Sequence, residues 1–237
     1  MHIQVLTYLI LFFLSMVPLK GNTFASIRDV PIIENGEPLI DLKDQAIITY
    51  STKFILEDPE CTHMRKTVYE KLCEAEKLLP AGVRFELIEG LRSLKTQARL
   101  FDEIYKEIQE KFPEMNEKEL FMETSKFVAP IKTLEGVTNV PPHSTGGAID
   151  ITLINQNGEP LDMGINPDDF YNEDFIRTDS PLISKEARKN RDIMSKALSE
   201  VGFVNYPGEF WHWSYGDKRW AFVREAKHSI YGPIGNP

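Results

Sequence analysis

Residues 141–154 read P-P-H-S-T-G-G-A-I-D-I-T-L-I, and they contain the clearest strand of the chain. Apolar side chains recur at every second position of residues 148–154, which is the period of a strand. A glycine-rich turn that holds His143 comes directly before this strand, and Asp150 lies on it. One face of the predicted strand carries Ile149, Ile151 and Leu153, and the other carries Ala148, Asp150 and Thr152.

Helical and strand patterns surround this strand without a regular β-α-β rhythm, which favours the α+β class. Strands are also predicted for residues 84–91 and for F-V-N-Y and F-W-H-W-S-Y near the end of the chain. In the first of these, regular alternation would put Phe85, Leu87 and Glu89 on one face. Predicted helices cover residues 64–79, a stretch capped by Ser93 and stopped by Pro113, residues 117–128, and a stretch from Ser184 to about Val201.

The composition is that of an ordinary globular protein. The 237 residues are 42% hydrophobic and 27% charged, which excludes a disordered tail and a polytopic membrane protein. The formal net charge of −9 argues against nucleic acid and against an anionic lipid surface as a partner, because both need a basic face. No internal repeat or Gly/Ser linker divides the sequence, so one domain is expected.

The first segment predicts export. Residues 3–17 are apolar and uncharged, and Thr23-Phe24-Ala25 offers small residues at the −3 and −1 positions of a cleavage site. We therefore expect residues 1–25 to be a signal peptide and residues 26–237 to be a periplasmic or secreted domain without stable membrane association. An uncleaved signal anchor is the alternative, since Met1-His2 lacks a basic residue. Export permits a disulfide between Cys61 and Cys73, and two free thiols are equally consistent with their spacing.

A second polar motif lies near the end of the chain. Residues 207–213 read P-G-E-F-W-H-W and supply Glu209 and His212. Two imidazoles and a carboxylate are a normal ligand set for catalytic zinc, with the fourth position left for water. The remaining carboxylate could then act as general base on that water. Either motif alone is common, but together they point to a zinc hydrolase site.

The two motifs resemble those of a known family. H-S-T-G-G-A-I-D is similar to the pattern H-x-x-G-x-A-x-D, and E-F-W-H to E-x-W-H, of the zinc D-alanyl-D-alanine dipeptidases. This family includes the vancomycin-resistance dipeptidases and lies near the D-Ala-D-Ala carboxypeptidases of the Hedgehog-type zinc fold. The resemblance spans about residues 45–222. It also rests on I-E-G-L-R-S at 88–93, L-D-M-G at 161–164, D-D-F at 168–170, and N-R at 190–191 with the helix that follows.

The resemblance implies a small mixed or antiparallel sheet with helices packed on it, and one Zn²⁺ per chain. It implies that His143, Asp150 and His212 bind the zinc. Glu209 would activate the zinc-bound water and then protonate the leaving amine. Arg92 would stabilise the oxyanion, a role that suits the charge and fork of a guanidinium.

The substrate contacts depart from the family pattern. Asp168 is the residue implied to hold the free ammonium of the dipeptide, but the neighbouring Asp169 competes for that role. Pro141 stands where the family often has a serine that touches the substrate, so Ser144 is the candidate substitute. The segment 109–140 is longer than in compact members; its Glu/Lys-rich helix could cover the site, but the charged amphipathic pattern favours the surface.

The resulting expectation is hydrolysis of D-Ala-D-Ala to two D-alanines in peptidoglycan precursor or cell-wall metabolism. One alternative is a D,D- or L,D-carboxypeptidase or endopeptidase that acts on peptidoglycan stem peptides. Another is a non-catalytic zinc-binding protein of the same fold.

Overall fold

The computed structural model describes residues 24–53, 55, 58–165 and 172–235. Residues 1–23 of the predicted signal peptide lie outside these ranges. Asp168 and Asp169 lie outside them too. The strands are β1 Leu39–Asp41, β2 Thr49–Tyr50, β3 His63–Arg65, β4 Val83–Glu89, β5 Ala148–Asn155, β6 Val204–Tyr206 and β7 Glu209–Ser214. The helices are α1 Lys66–Glu76, α2 Leu94–Lys111, α3 Glu117–Thr124, α4 Glu173–Ile176, α5 Lys185–Glu200 and α6 Lys218–Val223. Short 3-10 helices cover Ile27–Asp29, Leu42–Asp44 and Pro142–Thr145.

Five strands form the main sheet in the order β2-β4-β5-β7-β6. β2 runs parallel to β4, and the other three pairings are antiparallel. β1 and β3 form a separate antiparallel pair. The predicted α+β class, with a small mixed and mostly antiparallel sheet and packed helices, is therefore confirmed.

One face of the main sheet forms the core. The alternation predicted for β5 holds, because Ile149, Ile151 and Leu153 are fully buried there. They share one apolar cluster with side chains of α1 and α5, among them Leu72 and Met194. Burying an aliphatic side chain of this size stabilises a fold by about 1.5–3 kcal/mol. Burial of these three side chains fixes which face of β5 packs on the core. Since side chains alternate along a strand, Asp150 lies on the opposite face.

Local caps set the starts of two helices where the sequence predicts them. The Ser93 side chain accepts a hydrogen bond from Thr96 N at 3.1 Å, and the Ser184 side chain accepts one from Ala187 N at 3.0 Å. The first predicted helix is shorter than expected, because Met64 pairs with Ile40 in the β1–β3 ladder and is not helical.

The turn around His143 is held from behind by both ends of the described chain. Ile234 N donates a hydrogen bond to Ser144 O at 2.7 Å. The buried Arg65 donates from Nε to Thr145 O at 2.8 Å and pairs with Glu34 through Nη2 at 2.9 Å. Segments far apart in sequence therefore fix the backbone that carries the first histidine.

Cys61 and Cys73 are both buried and both free. Of the two arrangements that the sequence permits, the structure therefore has two thiols. Burial, with Glu89 and Asp58 nearby, raises the pKa of Cys61 to about 11. No helix in the described part of the chain has the length and apolar character needed to cross a membrane.

Candidate active site

Three buried side chains converge on the polar face of the sheet. His143 lies in the 3-10 turn Pro142–Thr145, Asp150 on β5 and His212 on β7, with exposed fractions of 5%, 9% and 6%. His143 Nε2 is 3.2 Å from Asp150 Oδ1 and 3.1 Å from His212 Nδ1. His212 Nδ1 is 3.0 Å from the same carboxylate oxygen. The three donor atoms therefore form a nearly equilateral triangle.

The register of β5 against β7 and two glycines in the preceding turn position these three side chains. Asp150 pairs directly with His212 across β5 and β7, so their side chains share one face. Gly146 ends the 3-10 turn with φ +67°, a conformation that suits glycine. A Cβ on Gly147 would lie 2.5 Å from Tyr215 O, so the close approach of these two chain segments also requires glycine.

The orientation of the His143 ring is fixed by a backbone carbonyl. His143 Nδ1 lies 2.8 Å from Gly90 O, and since a carbonyl only accepts, Nδ1 carries the proton and donates. In the neutral ring that binds a metal, Nε2 then carries the lone pair, and it faces Asp150 and His212. Histidines that bind metals usually have their other ring nitrogen held in this way.

The donor set fits a divalent metal ion. Four ligands of a tetrahedral zinc with bonds of about 2.0–2.1 Å lie about 3.3–3.4 Å apart, close to the spacing of the three atoms here. Burial opposes the charge on Asp150, but His143 and His212 outweigh it and hold the pKa of that carboxyl well below its usual range. Asp150 therefore stays ionised, and two imidazoles and one carboxylate are available as ligands.

A bulge in β4 brings a further carboxylate to this face. Leu87 pairs with Ile151, and Glu89 pairs with Asp150, so Ile88 is an extra residue in the ladder. Regular alternation would have turned Glu89 into the core with Leu87, as the sequence predicts. The bulge instead puts Glu89 on the face of Asp150, because directly paired residues point the same way.

Arg92 follows the bulged strand and lies against the site. Its Nε donates to Glu89 Oε1 at 2.7 Å, its Nη2 donates to Glu89 Oε2, and its Nη1 donates to Gln97 Oε1 at 3.1 Å. Gln97 in turn donates to Ala129 O at 2.7 Å. Burial would lower the pKa of Arg92, but Glu89 outweighs it and raises that pKa. The guanidinium is thus fixed, charged and partly open to the cavity.

An irregularity in β7 brings Glu209 next to His212. Asn205 pairs with Trp213, but Tyr206 pairs with Glu209, so β7 carries extra residues at this point. The Asn205 side chain donates to the carbonyls of this segment, at 3.2 Å to Glu209 O and 3.0 Å to His212 O. Glu209 Oε2 then lies 4.0 Å from His212 Nδ1.

Glu209 differs from Asp150 in its proton affinity. Burial, and then the negative charge of Asp150, raise the pKa of Glu209 to about 8, although His143, Arg92 and Arg219 oppose the rise. Two neighbouring carboxyls thus have pKa values on opposite sides of their usual range. The Asp150 carboxyl is suited to remain an anion, and the Glu209 carboxyl is suited to accept and release a proton.

A cavity of about 680 Å³ connects these groups. Five of the seven residues singled out in the sequence line it: Arg92, His143, Asp150, Glu209 and His212. Part of the segment 109–140 also lines it, through Ser125–Phe127 and Ala129 and then Asn139–Val140. These residues follow the Glu/Lys-rich helix α3, which does not itself line the cavity, and the hydrogen bond from Gln97 to Ala129 O holds this part of the chain at the cavity wall.

The structure does not bring Ser144 to the cavity. Its side chain is fully buried, and its Oγ donates to Pro141 O at 2.7 Å within the 3-10 turn. Asp168 and Asp169 lie outside the described residues.

Sequence reasoning missed three residues of this site. Glu89 looked like a core position until the bulge was known. Asn205 had one usable signal, since Asn is unfavourable in a strand and calls for a special role. Arg219 lines the cavity from α6, a helix that the sequence did not predict.

Residues 83–229, more than half of the chain, match the family model described as D-ala-D-ala dipeptidase. A D-alanyl-D-alanine dipeptidase of Synechocystis sp. is 34% identical over 103 residues, which cover 40% of this chain and 42% of the relative. One of Escherichia coli is 34% identical over 70 residues, covering 30% of this chain and 35% of the relative. The aligned stretches thus span less than half the length of these curated relatives.

Among solved structures, a mutant of the vancomycin resistance D,D-pentapeptidase VanY in complex with Zn(II) is 15% identical to this chain. It superposes with a TM-score of 0.46 over 84% of this chain and 90% of that chain. On the family match, and as the motifs around His143 and His212 indicate, the chain belongs to the D-ala-D-ala dipeptidase family of peptidases.

Proposed function

We propose that the protein is an exported zinc dipeptidase that hydrolyses D-Ala-D-Ala to two D-alanines in cell-wall metabolism. The observation that carries the proposal is the meeting of five groups at one cavity. These are three metal donors, a carboxyl with a raised pKa and a fixed guanidinium. The family membership of the chain supports the reaction class.

His143, Asp150 and His212 would hold the zinc. Zinc, when bound, supplies Lewis-acid chemistry that polarises the scissile carbonyl and acidifies water. The carboxylate of Glu209 would take a proton from the attacking water and pass it to the nitrogen of the leaving D-alanine. A raised pKa suits both steps, because the group must bind the proton and then give it up near neutral pH.

Arg92 would stabilise the negative charge that develops on the carbonyl oxygen. A guanidinium has five N–H donors, and Glu89 and Gln97 use three of those of Arg92. One N–H on Nη1 and one on Nη2 remain for the oxyanion. Donors that are already oriented need no rearrangement during the reaction, which is why they lower its barrier.

Two further parts of the proposal rest on the sequence. Asp168 would bind the substrate ammonium and thereby exclude longer chains. Residues 1–25 would be removed on export, leaving residues 26–237 as the enzyme domain. N-terminal sequencing of the protein recovered from its native compartment tests the second part, and an Asp168→Asn variant tests the first.

The decisive experiment measures D-alanine released from D-Ala-D-Ala by the zinc-loaded protein. We expect release that a chelator stops, and we expect a Glu209→Gln variant to keep its zinc but lose about 10²–10⁴-fold in kcat. Glu86→Gln is a matched control, because Glu86 lies on the same sheet but outside the cavity. Zinc content without hydrolysis of any D,D- or L,D-peptide would contradict the proposal and favour a non-catalytic zinc-binding protein.

The size of the cavity favours a second candidate, a carboxypeptidase or endopeptidase that acts on stem peptides. A volume of about 680 Å³ is in the range of sites that take drug-sized ligands and exceeds what a dipeptide fills. The assay therefore includes N-acetylated D-Ala-D-Ala and a stem pentapeptide. Equal kcat/KM for the pentapeptide and the dipeptide would favour this second candidate.

A further inference from the structure

A second guanidinium, that of Arg219, lines the cavity from the side of α6. The helix begins after Asp217, whose Oδ1 accepts a hydrogen bond from Trp220 N at 2.8 Å. This cap fixes the first turn of α6 and with it the direction of Arg219. The Arg219 side chain then borders the same cavity as Glu209 and His212.

An aromatic ring holds this guanidinium beside the metal donors. Arg219 Cζ lies 4.4 Å from the centroid of the Tyr206 ring, a stacking distance for a guanidinium. The Tyr206 ring in turn meets the His212 ring edge-on, with their centroids 6.1 Å apart. Arg219 is thus positioned relative to His212 through the Tyr206 ring.

Within the described residues, no carboxylate lies within ion-pair distance of Arg219. Two largely buried arginines nearby are paired, Arg92 with Glu89 and Arg65 with Glu34, whereas Arg28, which also borders the cavity, is exposed to solvent. Burial lowers the pKa of Arg219, and the more distant anions of Asp217 and Glu209 offset only part of that effect. A partly desolvated cation without a paired anion is unfavourable, so the site favours the arrival of an anionic group.

The proposed substrate brings one anionic group, its C-terminal carboxylate, which no residue discussed so far would bind. Arg92 would face the oxyanion, and the three metal donors are anionic or neutral. We propose that Arg219 binds the C-terminal carboxylate of the substrate through its guanidinium fork, so that the enzyme selects peptides with a free C-terminus. This inference rests on the proposed dipeptidase function.

The test compares D-Ala-D-Ala with D-alanyl-D-alaninamide, which lacks the carboxylate. In an Arg219→Met variant, kcat/KM for D-Ala-D-Ala should fall about 10- to 100-fold, the range of one charge-assisted contact, while the rate on the amide stays unchanged. Arg224→Met is the matched control, because Arg224 is an exposed arginine that caps the other end of the same helix. It should leave both rates unchanged.

Arg219 could instead only support the buried Asp217, whose Oδ2 has no hydrogen-bond partner within the described residues. In that case both substrates would lose rate together in Arg219→Met, and the inference would be overturned. Unchanged rates on both substrates would overturn it as well.

A binding measurement separates this inference from the proposed function. Zinc-loaded Glu209→Gln protein is titrated calorimetrically with D-Ala-D-Ala, with and without Arg219→Met. A 10- to 100-fold weaker affinity in the double variant supports the role of Arg219, and equal affinities, or no binding by either, overturn it. Failure of the wild-type protein to release D-alanine would refute the proposed function, and this titration would still decide about Arg219.

Discussion

Glu89 and Arg92 form a buried, two-point ion pair three residues apart, and a β-bulge makes it possible. Arg92 Nε and Nη2 donate to the two carboxylate oxygens of Glu89, and both side chains are largely buried. In a regular ladder Ile88 would pair with Asp150, and Glu89 would point into the core with Leu87. The irregular ladder therefore places the partner that orients the proposed oxyanion-binding residue.

We expect Glu89→Gln to lower kcat on D-Ala-D-Ala about 10- to 100-fold with a small change in KM. The amide keeps the shape of Glu89 but removes the charge that holds Arg92, a charge-assisted contact worth about 1.5–3 kcal/mol. Steady-state kinetics on zinc-loaded protein measure the split between kcat and KM. Glu86→Gln, on the same strand but outside the cavity, should change neither constant. A rise in KM alone would mean that Glu89 acts on binding and not on Arg92.

We expect one zinc ion per chain, lost in Asp150→Ala and retained in His63→Ala. Asp150 Oδ1 lies within 3.2 Å of both ligand nitrogens, whereas His63 lies outside the cluster of metal donors. Because zinc binds only the folded site, saturation at 100 times Kd should add about 2.7 kcal/mol to the free energy of unfolding. Metal analysis and melting temperature with and without chelator measure these effects. A melting temperature that a chelator leaves unchanged would contradict the assignment.

We expect Gly90→Ala to destabilise the fold by about 1–3 kcal/mol and to lower zinc affinity. A Cβ at this position would lie 2.3 Å from His63 O, so the backbone must move. Gly90 O accepts the hydrogen bond that orients His143, and that bond would move with it. Urea unfolding and zinc titration measure the two effects.

Gly232→Ala provides the comparison for that variant. There the nearest atom to a new Cβ is a carboxylate oxygen of the Glu34 side chain at 3.3 Å, so a shift of a few tenths of an ångström accommodates the methyl group and leaves the Glu34–Arg65 pair in place. A Gly90→Ala protein as stable and as zinc-avid as Gly232→Ala would show that the orientation of His143 does not depend on this carbonyl.

We expect neither cysteine to react with iodoacetamide in the native protein at pH 8. With a pKa of about 11, roughly one Cys61 thiol in a thousand is ionised at that pH, and burial also blocks access. Below the pKa, the reactive thiolate fraction falls about tenfold for each unit by which the pH is lowered. Mass spectrometry should find no adduct on the native chain and two adducts after denaturation without reductant. Absence of both adducts in denaturant would indicate a disulfide.

Elements whose signals are local could be predicted from the sequence. The period of β5, the Ser93 and Ser184 caps and the E-x-x-H motif each lie within one short stretch, so single residues decide them. His143, Asp150 and His212 could be predicted to act together because their motifs combine in one family pattern. These residues indeed converge in the structure.

The features that could not be predicted from the sequence depend on contacts between distant segments, such as the pairing of strands, which no local pattern encodes. The bulge that turns Glu89 arises only when β4 pairs with β5, about 65 residues later in the chain. Met64 reads as the first turn of a helix, yet its pairing with Ile40 makes it part of a strand. Arg219 was missed because α6 is short and its position against Tyr206 is purely tertiary.

The contacts behind the His143 turn also set an order of events during synthesis. A ribosome makes the chain from its N-terminus, so β4 and β5 are complete long before His212 and Ile234 emerge. A nascent chain of that length contains His143 and Asp150 but lacks His212. It also lacks Ile234, whose backbone hydrogen bond holds the turn around His143. Capture of the proposed zinc would then be one of the last steps in the maturation of the protein, and a chain truncated before His212 would lack a complete set of donors.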